Sequence, residues 1–196
     1  MPKVGYEPIR RQQLIDATLN SVAELGLKAT TINTISKRAG LSSGIISHYF
    51  GSKNGLIEAT VRYLLTSLKS SLISKIDKNI SQQQRLMLIV EANFSVVQKQ
   101  AHVTKTWLSF WAESMHDEQL HRLQAVNAKR LYSNLLYSFK TLLPYEQALQ
   151  AATLSAAMID GLWLRAVLTK ANEAEFSNAE LLAKNYVNSL IPVCQD

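Results

Sequence analysis

Glycine and proline are distributed very unevenly along this chain, and their distribution constrains the fold more than any other feature. Five of the seven glycines lie between residues 26 and 55, whereas the stretch from Leu56 to Leu143 contains neither glycine nor proline. Because these residues interrupt regular secondary structure, we expect short elements with tight turns early in the chain and long elements after them. The length of 196 residues suits one or two compact domains.

The spacing of the apolar residues predicts α-helices throughout. Ile15, Leu19 and Val22 recur at steps of four and three, which places them on one face of a helix. Further helices are predicted at 32–39, at a very short segment that begins after Ser42 or Ser43 and ends at Tyr49, and at about 53–78, 81–99, 103–116, 117–143, 145–170 and 177–190. No run alternates polar and apolar residues as a half-buried strand would, so the expected fold class is all-α.

Residues suited to capping mark the ends of these helices. A hydroxyl side chain before the first turn can accept a hydrogen bond from a free backbone N–H group, and glycine after the last turn can end a helix. The expected caps are Gly26, Thr31, Gly40, either Ser42 or Ser43, and Ser52, with Pro144 in the first turn of its helix. The segment from Thr31 to Phe50 therefore has the plan of a helix-turn-helix motif.

The second helix of this motif is expected to bury one side and to expose small and polar groups on the other. Its core is predicted from Ile32, Ile35, Leu41, Ile46 and Phe50 packed against Ile15, Leu19 and Val22. The residues left facing outward are Ser43, Gly44, Ile45, Ser47 and His48. Hydroxyl and imidazole groups can meet base edges or phosphates, and Ile45 can touch a thymine methyl group.

Positive charge is concentrated in the same region. The chain carries a net charge of +6, and residues 1–53 contribute +4 of it. Such a segment suits a polyanionic partner, although the same charge would also serve a solubilising surface. Lys53 lies in the first turn of the fourth helix, where a cation opposes the helix dipole. It gains nothing there unless an anion binds, so we expect a DNA phosphate at that N-terminus.

The segment from Thr30 to Leu56 resembles the DNA-binding domain of the TetR family of bacterial repressors. The matching residues are Thr30-Thr31, Ile35, Ala39-Gly40, Ser42-Ser43-Gly44, Tyr49-Phe50 and Lys53-Asn54-Gly55-Leu56. The resemblance implies a three-helix DNA-binding domain at 8–68, a helical ligand-sensing and dimerisation domain at 69–196, and a double-stranded DNA operator as partner. The implied DNA-binding residues are Thr31, Lys37, Ser42, Ser43, Gly44, Ile45, Ser47, His48, Tyr49 and Lys53. The family usually has tyrosine at Ser47 and histidine at Tyr49, so His48 or Tyr49 is expected to replace that tyrosine's phosphate contact.

Other segments are similar to one group within that family, the choline-responsive repressors of glycine betaine synthesis. The similar segments are Arg10–Thr18, Gly44–Phe50, Phe110–Ala112 and Asp160–Ala166. This resemblance implies a repressor of the genes for choline transport and for choline-to-glycine-betaine synthesis, with choline as the inducer. The alternative is a TetR-type repressor of an efflux pump that senses lipophilic cations.

The long helices hold aromatic and acidic residues that could bind a quaternary ammonium cation. Trp107 and Trp111 are four residues apart and share a helix face, as do Asp160 and Trp163 at a spacing of three. Aromatic ring faces attract such a cation. The expected ligand-binding residues are Glu91, Trp107, Phe110, Trp111, Asp160 and Trp163. The alternative is that the tryptophans belong only to the core.

The last two predicted helices, 145–170 and 177–190, are apolar enough to pair with a second copy of the chain. Four such helices across a two-fold axis form a bundle. A homodimer also suits a helix-turn-helix protein, which reads two half-sites about 34–36 Å apart or a multiple of that. The alternative is that these helices pack only within one monomer.

Several classes of protein are excluded by what the sequence lacks. The single cysteine, Cys194, excludes an internal disulfide and a cysteine zinc site. His116 and His121 are five residues apart, not four as in helical zinc proteases, and no phosphate loop or nucleophile elbow is present. We therefore expect neither an enzyme nor a cofactor or metal; a helical interaction module that does not bind DNA is the remaining class. Asp160 and Arg165 interrupt the apolar run 154–168, and the N-terminus lacks the apolar core of a signal peptide, so a cytoplasmic protein without membrane contact is expected.

Overall fold

The computed structural model describes residues 6–77, 79–170 and 172–192. Within these ranges it contains ten α-helices and no β-strand, which confirms the expected all-α class. The helices are α1 (Tyr6–Leu25), α2 (Ile32–Ala39), α3 (Gly44–Phe50), α4 (Lys53–Ile73), α5 (Gln82–Asn93), α6 (Val96–Lys99), α7 (Ala101–Glu113), α8 (Glu118–Phe139), α9 (Tyr145–Leu168) and α10 (Glu173–Ser189). Cys194 lies outside the described residues.

The chain divides into two compact units. The first comprises the described residues up to Thr66 together with Gln100–Gln124, and the second comprises Ser67–Lys99 and the described residues from Ala125 onward. The segment Gln100–Gln124, which we expected in the C-terminal domain, groups with the N-terminal helices because α7 packs against α1. The Thr106 hydroxyl of α7 donates a hydrogen bond to the Leu19 carbonyl of α1 at 3.5 Å.

A small apolar core holds the first unit together. Of the residues predicted for it, the buried ones are Ile15, Leu19, Val22, Ile35 and Ile46. The half-buried ones are Ile32, Leu41 and Phe50, which stand at the start of α2, in the turn and at the end of α3. Residues at the ends of such short helices have fewer neighbours, which explains their partial exposure. Leu56, Val61 and Leu64 extend this core along α4.

The second unit is built around α9 and α10, which pack along each other, while α10 also packs against α5. Its fully buried side chains include Leu86 and Ile89 of α5, Leu135 and Phe139 of α8, and Ile159 of α9. The outward faces of α9 and α10 carry four leucines that are 47–64% exposed: Leu154, Leu168, Leu181 and Leu182. Exposed apolar side chains that lie together on a surface can mark an interaction site.

The predicted helix ends agree with the structure at some positions and differ at others. α1 ends directly before Gly26, as expected. The helix expected at 81–99 is broken between α5 and α6, where Phe94 leaves the helical conformation (φ −107°, ψ 18°) and is only 1% exposed. α10 begins four residues earlier than expected, because Asn172 forms a capping box with Glu175. Pro144 precedes the first residue of α9 instead of lying in its first turn.

Among the described residues, α9 alone has the length and composition of a membrane-crossing helix, with a mean hydropathy of 1.3 over its most apolar window. The expectation that Asp160 and Arg165 would exclude α9 as a membrane-crossing helix was wrong, because two charged residues leave its mean hydropathy high. Core helices of soluble proteins have the same composition, and here the inner face of α9 packs against α10 and α5.

Candidate nucleic-acid interface

Local caps fix α2 and the turn that follows it. The Thr31 hydroxyl accepts a hydrogen bond from the Thr34 N–H group at 3.1 Å, and the Thr34 hydroxyl accepts one from the Thr31 N–H group at 2.9 Å. At the other end, Gly40 adopts a φ of +65° and its N–H group donates to the Lys37 carbonyl. Both predicted caps are confirmed. Since glycine adopts a positive φ at no steric cost, this turn sets the direction in which the chain enters α3.

The predicted cap of α3 is not formed. Ser43 precedes the helix in a helical conformation (φ −61°, ψ −31°), and its side chain makes no capping hydrogen bond. A capping side chain needs an extended backbone to reach back to the first N–H groups, so the helical backbone of Ser43 rules this out. The Ile45 and Ile46 N–H groups donate instead to the Ser42 and Ser43 carbonyls, both at 3.2 Å.

The outward face of α3 has the predicted composition except at Ile45, which is half-buried. The exposed residues of this segment are Ser42, Ser43, Gly44, Ser47 and His48. Ile45 and Tyr49 are half-buried, and Ile46 alone faces fully inward. On α2 and before it, Lys37 and Thr31 are exposed. A short helix with hydroxyls, an imidazole and one accessible apolar side chain can approach base edges closely.

Arg11 of α1 packs on the aromatic end of α3, a contact that the sequence did not reveal. Its guanidinium carbon lies 5.5 Å from the centre of the Tyr49 ring and 5.0 Å from that of Phe50. The Arg11 Nε donates to Glu7 at 2.7 Å, and the rings of His48 and Tyr49 are 4.9 Å apart. Each cation–π contact at such an exposed site stabilises by about 0.5–1 kcal/mol. The end of α3 is therefore held against α1.

The start of α4 is joined to the elements on both sides of it. The Ser52 hydroxyl accepts a hydrogen bond from the Gly55 N–H group at 3.0 Å, which confirms the predicted cap. The Lys53 ammonium donates to the Thr30 carbonyl at 3.0 Å. The expectation that Lys53 gains nothing without a bound anion was therefore wrong, because it satisfies a backbone carbonyl between α1 and α2. Gly55 packs so closely that a Cβ atom there would overlap the Phe50 carbonyl oxygen.

One serine variant and one threonine variant should separate effects on operator binding from effects on helix stability. Ser43→Ala is expected to weaken operator binding by about 1 kcal/mol, or roughly fivefold, with an unchanged melting temperature, because this exposed hydroxyl caps nothing. Thr34→Ala is the matched control and should lower the free energy of unfolding by about 0.5–1 kcal/mol, since the Thr34 hydroxyl forms half of the capping box with Thr31 and is not a proposed DNA contact. Thermal denaturation and operator titration of both variants measure this. A Ser43→Ala protein that melts early but binds normally would contradict the assignment.

In the first unit, the structure brings together three of the residues predicted to bind a ligand. The ring centres of Trp107 and Phe110 are 5.7 Å apart, and those of Trp107 and Trp111 are 6.4 Å apart. Trp107 and Phe110 are buried and Trp111 is half-buried. All three lie on α7, where Trp107 and Phe110 pack into the core and Trp111 keeps partial access to solvent.

The other three predicted ligand residues lie in the second unit. Glu91 is hydrogen-bonded to Lys184 at 2.8 Å and to Lys75 at 3.0 Å. Burial alone would raise the pKa of Glu91, but these two ammonium groups outweigh it and lower the pKa. The Trp163 indole N–H donates to the Gln98 carbonyl at 3.3 Å. Asp160 keeps access to solvent on α9, yet the protein around its carboxyl displaces enough water to raise its pKa to about 6.

The fold and the exposed face of α3 define a helix-turn-helix transcriptional regulator with a helical second unit. Residues 14–60 match the model of bacterial regulatory proteins of the tetR family, and residues 82–192 match that of the BetI-type transcriptional repressor C-terminal domain. The chain belongs to the BetI-type repressors of the TetR family. It is thus a transcriptional regulator and not an enzyme.

Known relatives match this chain along nearly its whole length. The HTH-type transcriptional regulator BetI of Serratia proteamaculans is 51% identical over 93% of this chain and 92% of its own. The BetI protein of Yersinia pestis is 49% identical over 98% of each chain. A TetR transcription regulator from Haloarcula marismortui shares the fold with a TM-score of 0.82 at 19% identity, over 94% of this chain and 100% of its own.

A transcriptional regulator from Saccharomonospora viridis, crystallised in complex with choline, also shares the fold. Its TM-score is 0.80 at 19% identity, over 94% of this chain and 98% of its own.

Proposed function

We propose that this repressor controls the genes for choline transport and for conversion of choline to glycine betaine, and that choline releases it from DNA. The observation that carries the choline assignment is the cluster formed by Trp107, Phe110 and Trp111, with ring centres 5.7 and 6.4 Å apart. A quaternary ammonium group has no N–H to donate, so ring faces are its natural partners, each contributing about 0.5–2 kcal/mol. The choline complex of the Saccharomonospora viridis regulator, which shares the fold, supports the proposal.

The proposed DNA contacts are the predicted ones, centred on α3. Ser43, Ser47 and His48 are exposed there and carry groups that can reach bases or phosphates. The remaining proposed contacts are Thr31, Lys37, Ser42, Gly44, Ile45, Tyr49 and Lys53. The Thr31 hydroxyl and the Lys53 ammonium already bond within the protein, so a phosphate would add to these contacts without replacing them. Acting on an operator also places the protein in the cytoplasm, without a membrane partner.

The proposed assembly is a homodimer formed by α9 and α10. Their outward faces carry Leu154, Leu168, Leu181 and Leu182, which one chain leaves exposed. Covering an apolar face with the same face of a second copy is the usual isologous solution. A dimer would bring two α3 helices to a palindromic operator.

Release by choline requires that choline bind more tightly to a form that cannot engage the operator. Equal affinity for both forms would shift nothing. Moving the population from 1:99 to 99:1 takes about 5.5 kcal/mol of differential binding, which two choline sites in a dimer would share. The aromatic cluster of each chain must therefore supply about 2.7 kcal/mol of this differential binding free energy, which is equivalent to a few cation–π contacts.

Operator binding titrated with choline tests the proposal. We expect choline to weaken operator binding by at least about tenfold at saturation, and a lipophilic cation of similar charge to be less effective. Trp111→Ala should bind choline about two- to thirtyfold more weakly because it removes one ring of the cluster, and choline binding should be weakened more than folding since Trp111 is half-buried. An operator affinity that stays constant at saturating choline would refute the inducer assignment and leave the repressor intact.

A further inference from the structure

A basic groove of about 470 Å³ lies in the second unit, between α5 and α8. Three of its lining side chains are cationic, namely Arg85, Lys129 and Arg130, and the described lining includes no carboxylate. Lys129, Ser133 and Tyr137 are four residues apart along α8, so they line one side of the groove in sequence. The volume lies within the range of small-molecule sites in proteins.

Arg85 is held rigidly at the base of this groove by neutral groups. Its guanidinium donates to the Asn134 carbonyl at 2.8 Å, to the Asn134 side-chain oxygen at 2.6 Å and to the Ser138 hydroxyl at 2.9 Å. Its central carbon lies 5.0 Å from the centre of the Tyr137 ring. Burial lowers the pKa of Arg85, and its described hydrogen-bond partners are all neutral. A guanidinium has five N–H donors, so it retains donors for a further partner.

Elsewhere in the second unit, the half-buried cation Lys184 is paired with carboxylates. Lys184 is paired with Glu91 and with Glu180, both at 2.8 Å, and Lys75 is also paired with Glu91. In the groove, neither Lys129 nor Arg130 forms an ion pair with any described residue. Arg85 is half-buried and hydrogen-bonded only to neutral groups, and two exposed cations, Lys129 and Arg130, line the same groove. Because a partly buried charge is normally paired, this arrangement favours a negatively charged ligand.

We propose that this groove binds a small phosphate-bearing molecule with at least two negative charges. Lys129 and Arg130 supply flexible cations for the phosphate oxygens, and Arg85 supplies a preorganised one. The Ser133 hydroxyl and the Tyr137 phenol line the same groove and can donate to the remaining oxygens. This site is separate from the helix-turn-helix residues and from the Trp107 cluster, so it does not depend on the choline proposal.

Calorimetric titration of the full chain with inorganic pyrophosphate at constant ionic strength tests this inference. We expect saturable binding of one pyrophosphate per chain, weakened at least about tenfold by the double variant Lys129→Gln/Arg130→Gln. Both residues are exposed, so the variant should fold, and circular dichroism confirms that it does. ADP is titrated in parallel: tighter binding than pyrophosphate identifies a nucleotide as the ligand class, and equal binding identifies inorganic polyphosphate.

The matched control is Arg122→Gln/Lys140→Gln, which removes the same charge from the same part of the chain outside the groove. It should bind pyrophosphate like the unmodified protein. Equal weakening in both double variants would show a diffuse charge effect and overturn the site, as would the absence of saturable binding. A smaller salt dependence of operator binding in Lys129→Gln/Arg130→Gln would also overturn it, because that result would make the groove a DNA contact.

Discussion

Leu154→Arg is expected to leave the chain folded but monomeric and to weaken operator binding by at least about 100-fold. Leu154 is 52% exposed on α9, so a charge there is tolerated in a single chain. In the proposed dimer it would place an unpaired arginine from each chain in an apolar interface, where unpaired charge is very costly. Loss of the second reading domain removes an avidity gain of about 10²–10⁴.

Size-exclusion chromatography with light scattering measures the mass, and operator titration measures the affinity. Ile73→Arg is the control, because Ile73 is a similarly exposed apolar residue (55%) at the end of α4. It should remain dimeric and bind the operator normally. If Leu154→Arg were also a dimer with full affinity, the association would have to involve a different surface.

Gly55→Ala should abolish high-affinity operator binding because it displaces α3. The added Cβ atom would overlap the Phe50 carbonyl oxygen, which is backbone and cannot rotate away. Overpacking of this kind costs about 1–3 kcal/mol, which exceeds the gain of roughly 1 kcal/mol from alanine's higher helix propensity. We expect a lower melting temperature of the first unit and an operator affinity reduced by at least about tenfold.

Asn54→Ala is the neighbouring control, since Asn54 is exposed in the same helical turn. That variant should keep both the melting temperature and the operator affinity. Unchanged binding by Gly55→Ala would mean that α3 and α4 can separate without disturbing the reading helix, contrary to the close packing at Phe50.

The parts of the fold that depend on neighbouring residues in sequence were predictable. The cap at Thr31, the left-handed turn at Gly40 and the cap at Ser52 each involve groups within four residues, and all three are present. The exposed face of α3 followed from the same local periodicity. Two local features were missed: the backbone of Ser43 is already helical and cannot form the cap that its side chain suggests, and the capping box of Asn172 with Glu175 starts α10 earlier than expected.

Contacts between distant segments were not predictable in this way. The Lys53 bond to Thr30 spans 23 residues, and the packing of Arg11 on Tyr49 joins two separate helices. Glu91 was expected to bind a cationic ligand, but Lys75, just after α4, and Lys184 of α10 pair with it from elsewhere in the chain. Nothing in the local sequence around Glu91 indicates either lysine, so the ion pairs that neutralise its carboxylate could not be predicted from the sequence.

The attachments at the start of α4 have a consequence for how the protein is switched. Lys53 joins α4 to the loop before α2, and Gly55 lies against the end of α3. A ligand that tilts α4 would therefore move α2 and α3 together with it as one rigid piece. The residues of α3 that contact the bases would keep their arrangement. Induction would then change the distance between the two α3 helices of a dimer. The induced protein would still bind a single half-site but would no longer bind both halves of the palindrome at once.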